Sequence, residues 1–125
     1  MYEIRVEADF AAAHFLKDYN GKCEKLHGHN YKVFAHVAGN ELDAGGMLVD
    51  FGELKGALRL VCKELDHTNL NDMPKFLQNP SAERIAKHIA DELQERLPEL
   101  KSGRAKLIAV DVFETDTSRA RYIPD

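Results

Sequence analysis

The two histidines of the segment His27-Gly28-His29 are the part of this sequence most indicative of chemistry. Residues two apart on a β-strand point to the same face, so both imidazoles can bind one metal ion. His14 ends an alternating segment and continues its apolar face, and antiparallel pairing of the two segments would place it beside the other two. Three histidines with an open fourth position are typical of catalytic zinc, although two such histidines also occur as a hydrogen-bonded surface pair. The spacing predicts a metal site at His14, His27 and His29.

Two roles are open to Cys23, which precedes His27 by four residues on a polar loop. It is either a fourth zinc ligand in a closed Cys-His₃ site without chemistry, or a thiolate that takes a proton from a metal-bound substrate. A free thiol titrates near ~8.5, so the second role needs zinc or a positive neighbour to lower its pKa. Cys62, on the apolar stripe of a predicted helix, is interpreted as a small core residue. His36 and His88 have no evident partner and are predicted to be structural or surface residues.

Four further residues carry polar groups at the ends of predicted elements. Asp66 and His67 follow a helix, either as a cationic cap with an Asx turn or as a carboxylate-oriented imidazole that exchanges protons. Glu114 continues the apolar row of a strand, so it is either exposed at the end of the sheet or a buried anchor for a pair of donors. Ser81 is a good N-cap, and that role alone would account for it.

Hydrophobic periodicity predicts the elements that position these residues. Asp50, with Glu53 as its capping-box partner, begins one helix, and Ser81 begins another that ends at Pro98. Strands are predicted at residues 2–10, 27–37, 47–49, 106–114 and 119–123. The order βββ–α–α–ββ predicts an α+β fold in which an antiparallel sheet carries two helices on one face.

The composition is that of a globular protein, with 44% apolar and 30% charged residues in 125. This length predicts one domain over residues 1–125. Apolar runs are too short for a transmembrane helix or a signal peptide, and a net charge of −4 argues against a nucleic-acid partner. Two cysteines make no disulfide framework, so we expect free thiols and a cytoplasmic location. A core this small favours oligomerisation.

Four motifs in this order resemble the 6-pyruvoyltetrahydropterin synthase / 6-carboxytetrahydropterin synthase family, whose architecture is the tunnelling fold (T-fold). They are residues 23–30 (CEKLHGHN), 65–71 (LDHTNLN), 79–83 (NPSAE) and 113–115 (FET). The resemblance extends from the segment around His14 to Glu114, nearly the whole chain. It implies the order ββ–α–α–ββ, which matches the periodicity apart from the short third strand.

The resemblance also implies a role for each candidate residue. The zinc ligands would be His14, His27 and His29, the catalytic cysteine Cys23, and the proton-relay pair Asp66 and His67. The pterin-anchoring glutamate would be Glu114, and the hydroxyl at the pterin pocket Ser81. Ala82 stands where some members carry a second hydroxyl, and members with an aldolase-like outcome carry Glu in place of Cys23.

In the 6-carboxy branch of the family, 7,8-dihydroneopterin triphosphate becomes 6-carboxy-5,6,7,8-tetrahydropterin with release of acetaldehyde and triphosphate, an early step towards queuosine and other deazapurines. In the 6-pyruvoyl branch the same substrate loses triphosphate and becomes 6-pyruvoyltetrahydropterin. Compact loops and a short C-terminus resemble the 6-carboxy enzymes more. The resemblance further implies a homohexamer, a dimer of trimers, in which the sheets close into a barrel and the sites lie between subunits. The competing hypothesis is a small zinc-binding or interaction protein with a closed Cys-His₃ site.

Overall fold

The computed structural model describes residues 1–17 and 25–125. Within these residues, four antiparallel strands form one sheet in the order β1-β2-β3-β4, with helices against it, which confirms the predicted α+β class. The strands are β1 (Tyr2–His14), β2 (His27–Gly39), β3 (Lys106–Thr115) and β4 (Ser118–Tyr122). The helices are α1 (Phe51–Leu65), α2 (Ala82–Arg96) and the short α3 (Pro98–Lys101), and 3₁₀ turns lie at Leu70–Asp72 and Pro74–Phe76.

The pairing of β1 with β2 is the feature of the fold that positions the histidines. It runs without a bulge over the full length of both strands, from Tyr2 opposite Gly39 to His14 opposite His27. Because side chains alternate between faces, the even residues of β1 and the odd residues of β2 share the helix-covered face. The predicted placement of His14 beside the other two histidines is therefore confirmed.

Both long helices begin at the predicted caps. Asp50 accepts a hydrogen bond from Gly52 N–H, and Ser81 accepts one from Arg84 N–H at 3.3 Å. Their apolar stripes cover the sheet and account for much of the core. The buried residues of the two helices are Leu54, Leu58, Val61, Cys62, Leu65, Ile85, Ala86, Ile89, Ala90 and Leu93. None of the described helices has the length and apolarity needed to cross a membrane.

The strand predicted at residues 47–49 is wrong. Asp43 closes a turn there, because its side chain accepts hydrogen bonds from Gly45 N–H at 2.8 Å and Met47 N–H at 3.0 Å. The carbonyl of Leu48 accepts from the Arg104 guanidinium instead of from a strand. Leu48 itself is buried in the core, so a short apolar run was mistaken for a sheet element.

A charged cluster lies on the sheet face opposite the helices. Asp111 is only 3% exposed, and it accepts hydrogen bonds from Arg121 at 2.7 and 3.0 Å. His36 Nε2 lies 2.7 Å from the same carboxylate, so this histidine has a partner that its sequence context did not reveal. Burial alone raises the pKa of Asp111, but the hydrogen bonds from Arg121 and His36 outweigh it and hold that pKa below its usual value.

Candidate metal centre and active site

The three predicted ligands, His14, His27 and His29, form one cluster at the end of the β1–β2 pair. Their ring centroids are 4.6 to 5.1 Å apart, and one nitrogen from each ring lies within 4.8 Å of the others. These three side chains can therefore hold a metal ion. Among the described residues, these three histidines are the one group of side chains placed to hold a metal ion, and neither His36 nor His88 belongs to it.

Backbone carbonyls orient two of the imidazoles. His14 Nδ1 lies 2.8 Å from Pro80 O, and His27 Nδ1 lies 2.7 Å from Lys25 O. A carbonyl oxygen only accepts, so Nδ1 is the nitrogen that carries the proton in the neutral form of each ring, and that tautomer leaves the lone pair on Nε2. A partner on the second ring nitrogen is the usual companion of a metal-binding histidine.

Two of the remaining ring nitrogens are buried without a hydrogen-bond partner among the described residues. These orphans are His14 Nε2 and His29 Nε2. Burial, with smaller contributions from His14 and His27, lowers the pKa of His29, whereas Glu114 raises it, and the net shift favours the neutral ring that ligates metals. Three imidazoles gathered at one point, two of them with a buried and otherwise unpartnered nitrogen, fit a metal ion well.

Glu114 lies directly beside the histidine cluster. Its Oε1 is 3.7 Å from His14 Nε2 and its Oε2 is 3.9 Å from His29 Nε2, with the side chain 28% exposed. The carboxylate is therefore neither fully exposed at the end of the sheet nor fully buried, and it lies between the two sequence alternatives. Glu114 is partly enclosed and faces the same space as the three histidines.

Tyr31 is a component of the site that was not predicted. Its hydroxyl is fully buried and has no hydrogen-bond partner among the described residues, while its ring contacts those of His14 and His29 edge-on. Burial, and then the charge of Glu114, raises the pKa of Tyr31 above its usual value. The sequence does contain a signal for Tyr31, because it follows His29 by two residues on the same strand and such residues point to the same face.

Asp66 and His67 form a hydrogen-bonded pair, as one of the two sequence interpretations required. Asp66 Oδ2 lies 2.7 Å from His67 Nδ1, and its Oδ1 accepts from Ala11 N–H at 2.8 Å. The Ala11 hydrogen bond, followed by that of His67, holds the pKa of Asp66 below its usual value. His67 has φ 56°, and its side chain is 83% exposed. The carboxylate thus fixes an imidazole that is open to solvent.

This pair opens away from the histidine cluster. Asp66 and His67 line a cavity of about 450 Å³ together with Asn30, Lys32 and Phe113. These three residues alternate with His29, Tyr31 and Glu114 along their strands, so they face the opposite side of the sheet. The structure brings the three histidines and Glu114 together but does not place His67 among them.

The two remaining candidates are Ser81 and Cys23. Ser81 caps α2 and directly follows Pro80, whose carbonyl orients His14. The Ser81 hydroxyl accepts from Arg84 N–H, so its proton stays free to donate. Cys23 lies outside the described residues. Cys62 is buried as predicted, and burial raises the pKa of its thiol to about 12.

Residues 3–125 match the family model described as 6-pyruvoyl tetrahydropterin synthase. The chain belongs to the 6-pyruvoyl tetrahydropterin synthase family. It is 40% identical to the 6-carboxy-5,6,7,8-tetrahydropterin synthase of Bacillus subtilis over 98% of this chain and 86% of that protein. It is 41% identical to the Synechocystis protein of the same name over 98% of this chain and 93% of that protein.

Solved structures of the 6-pyruvoyl tetrahydropterin synthase family share the fold. The enzyme of that name from Caenorhabditis elegans superposes with a TM-score of 0.84 at 25% identity, covering 99% of this chain and 96% of that one. The resemblance inferred from four short motifs is thereby confirmed, and with it a fold in which the β1–β2 pair carries the three histidines.

Proposed function

We propose that this member of the family is a zinc-dependent 6-carboxy-5,6,7,8-tetrahydropterin synthase acting on 7,8-dihydroneopterin triphosphate. The observation that carries the proposal is the convergence of three oriented histidines with Glu114 at 3.7 and 3.9 Å from two of them. A metal site and a carboxylate side by side suit a substrate that has a polar side chain on a donor-rich ring. The names of the Bacillus and Synechocystis relatives support the 6-carboxy branch.

The carboxylate of Glu114 would anchor the pterin ring. A pterin presents an amino group and a ring N–H side by side, and one carboxylate can accept both hydrogen bonds in parallel. Partial enclosure of Glu114 strengthens such charge-assisted bonds because little water competes. The hydroxyl of Ser81, adjacent to Pro80 at the centre, would add one more polar contact to the ring.

His14, His27 and His29 would hold zinc, which supplies Lewis-acid polarisation of the substrate's side-chain oxygens and so acidifies neighbouring protons. Cys23 would accept a proton on one side of the substrate carbon. His67, held in one orientation by Asp66, would move a proton on the other side. Departure of acetaldehyde and triphosphate, with one water consumed, completes the conversion.

The position of His67 supports a site shared between copies of the chain. His67 opens to the sheet face opposite the three histidines, so it does not reach the metal centre of its own chain. A neighbouring copy would supply it. This arrangement agrees with the sites between subunits that the family resemblance implied.

The edges of the sheet support closure into a ring. Along the free part of β1, the face opposite the helices carries Glu3, Glu7 and Asp9 with Arg5 among them. Along the other edge strand, β4, Arg119 and Arg121 point to the same face, where Arg121 also binds Asp111 of its own chain. Pairing β4 of one copy with β1 of the next would set acidic residues against basic ones and leave no open edge. Such a head-to-tail contact generates a ring when the rotation between successive copies closes, and a ring of three copies would be the trimer that pairs into a hexamer.

The expected result for the metal site is that His27→Ala no longer retains stoichiometric zinc under chelator challenge. Loss of a direct ligand should weaken zinc binding by more than the roughly 10- to 100-fold that follows loss of an outer-shell partner. Metal content of the purified protein, measured after dialysis against a chelator, is the readout. His36→Ala and His88→Ala serve as controls and should keep their zinc, and loss of zinc from either one would contradict the ligand assignment.

A product assay tests the proposed function. The zinc-loaded protein is incubated with 7,8-dihydroneopterin triphosphate, and we expect acetaldehyde, triphosphate and 6-carboxytetrahydropterin in equal amounts. Release of triphosphate without acetaldehyde, giving a 6-pyruvoyl product, would place the protein in the branch of the Caenorhabditis elegans enzyme instead. A zinc protein that leaves the substrate unchanged would favour the non-enzyme alternative with a closed Cys-His₃ site.

A further inference from the structure

A short segment that is distant in sequence orients the metal ligand His14. The Pro80 carbonyl lies 2.8 Å from His14 Nδ1, and both residues are buried. An outer partner of this kind fixes the plane and the tautomer of a metal-binding imidazole. The orientation of His14 therefore depends on how residues 76–80, which we call the strap, hold that carbonyl in place.

The strap is fixed at both of its ends. Phe76 is 1% exposed and anchors one end in the core, and Ser81 begins α2 at the other end. Backbone hydrogen bonds close the turn between them, because Asn79 N–H donates to Phe76 O and Ser81 N–H donates to Asn79 O, both at 2.9 Å. With its ends fixed, the position of the Pro80 carbonyl is set by the backbone conformation of the few residues in between.

Two of these residues carry backbone strain. Leu77 and Gln78 have φ values of 52° and 65°, in the left-handed region that non-glycine residues rarely adopt. The proline ring fixes φ of Pro80 and restricts Asn79 before it, so neither of them can take over the turn. A strained conformation persists only where its surroundings enforce it. The strap is therefore an element that needs external support to keep its shape.

Side chains from two other segments supply that support. Arg84 of α2 donates from Nη1 to Phe76 O at 2.9 Å, and the same nitrogen lies 3.5 Å from Asn79 O. Asn71 Nδ2 donates to Gln78 O at 3.1 Å. These donors hold three carbonyls of the strap, so the left-handed turn keeps its place beside the ligand.

We propose that the strap is the outer support of the metal centre and that Arg84 is its positioning residue. Without the guanidinium, the strain of Leu77 and Gln78 is relieved by a change in the turn. The Pro80 carbonyl then moves away from His14 Nδ1, and the imidazole loses the partner that orients it towards the metal. The inference rests on the metal site of the proposed function, and its consequence is a change in metal affinity.

The first test compares Leu77→Ile with Leu77→Gly in the full-length protein. Isoleucine is β-branched and is disfavoured at φ 52°, whereas glycine adopts that angle without steric cost. The Leu77 side chain is 73% exposed, so neither change removes a buried contact. We expect Leu77→Ile to raise the Kd for zinc by about 10- to 100-fold, the range for loss of an outer partner, and Leu77→Gly to stay within about 2-fold of the wild type. Competition with a chelator gives the Kd, and the absorption bands of the cobalt(II)-substituted protein should shift in Leu77→Ile but not in Leu77→Gly.

The second test removes the guanidinium itself. Arg84→Ala keeps the backbone N–H that donates to Ser81, so the helix cap is retained, and we expect the Kd for zinc to rise by about 10-fold. Arg96→Ala is the matched control, because Arg96 lies on the same helix but donates to Glu64 and Glu92, away from the strap. This control should keep the wild-type Kd, and Arg84→Lys, which retains one donor, should fall between Arg84→Ala and the wild type.

Equal zinc affinity in Leu77→Ile, Leu77→Gly and the wild type would overturn the role of the strap, and so would an equal loss in Arg84→Ala and Arg96→Ala. If Leu77→Ile does not fold, the arginine pair decides. The proposed function can fail separately, since a wild-type protein that binds zinc but makes no 6-carboxytetrahydropterin still gives every Kd in the comparison. A wild-type protein that binds no zinc would overturn the metal site and the role of the strap together.

Discussion

Cys23→Ala should keep its zinc and its fold while losing about 10²- to 10⁴-fold in turnover, the range for a positioned acid–base group. The expectation follows from the histidine cluster, which by itself supplies three nitrogens, the number that protein residues contribute to an open catalytic zinc site. Turnover is measured by acetaldehyde release, and zinc content is measured on the same preparation. A variant that loses zinc and stability together would instead identify Cys23 as a fourth ligand, since a closed site contributes folding free energy.

Cys62→Ala is the control for this experiment. Cys62 is 1% exposed within the core, and burial holds its thiol protonated by raising its pKa to about 12. Its removal should leave a small cavity and lower the free energy of unfolding by about 1 kcal/mol, without changing turnover. Full activity of Cys23→Ala under these conditions would exclude both roles for that residue.

The elements of the sheet and the helices were predictable because they depend on local pattern. The period-two alternation of β1, the caps Asp50 and Ser81 and the apolar stripes all agree with the observed burial. The error at residues 47–49 has a different cause. Asp43 competes for the backbone through its side chain, and a short apolar run that fills the core looks like a strand when its tertiary partners are unknown.

The histidine cluster of the candidate site was also predictable from local sequence pattern. The parity of His14, His27 and His29 defined one face, and the uninterrupted β1–β2 register made that face a cluster. Partners that are distant in sequence had no such signal. The contact of His36 with Asp111 joins strands through a pairing that no local pattern specifies, and the carbonyl of Pro80 reaches His14 only after the chain has folded back.

The direction in which His67 opens is likewise a property of the folded chain. Its positive φ turns the residue along the free edge of β1, where its N–H donates to Ala11 O, and its ring then lies by the cavity on the far face. The sequence motif identifies Asp66 and His67 as a pair, but it does not indicate on which face of the sheet the pair lies. This geometry leads to the second large effect that we expect.

Two inactive variants, His27→Ala and His67→Asn, should recover about one quarter of wild-type activity when they are assembled together in equal amounts. Half of the metal centres and half of the relay pairs remain intact in this mixture. They combine at random in a symmetric oligomer, so about one site in four has both parts intact. Asparagine is chosen at position 67 because it tolerates positive φ better than most residues, so that the turn beside β1 is kept. Co-expression of two differently tagged chains, followed by purification through both tags, gives the mixed oligomer for the acetaldehyde assay.

A second mixture makes this result specific. His27→Ala combined with Glu114→Gln should recover nothing, because Glu114 and the histidine cluster lie side by side on one chain and every centre then carries one lesion. Recovery in the first mixture and none in the second requires that the imidazole of His67 crosses to the centre of a neighbouring copy. If His27→Ala and His67→Asn form mixed oligomers but do not complement each other, each site takes its relay pair from its own chain. That result would require the chain to rearrange so that His67 moves past the edge of its own sheet.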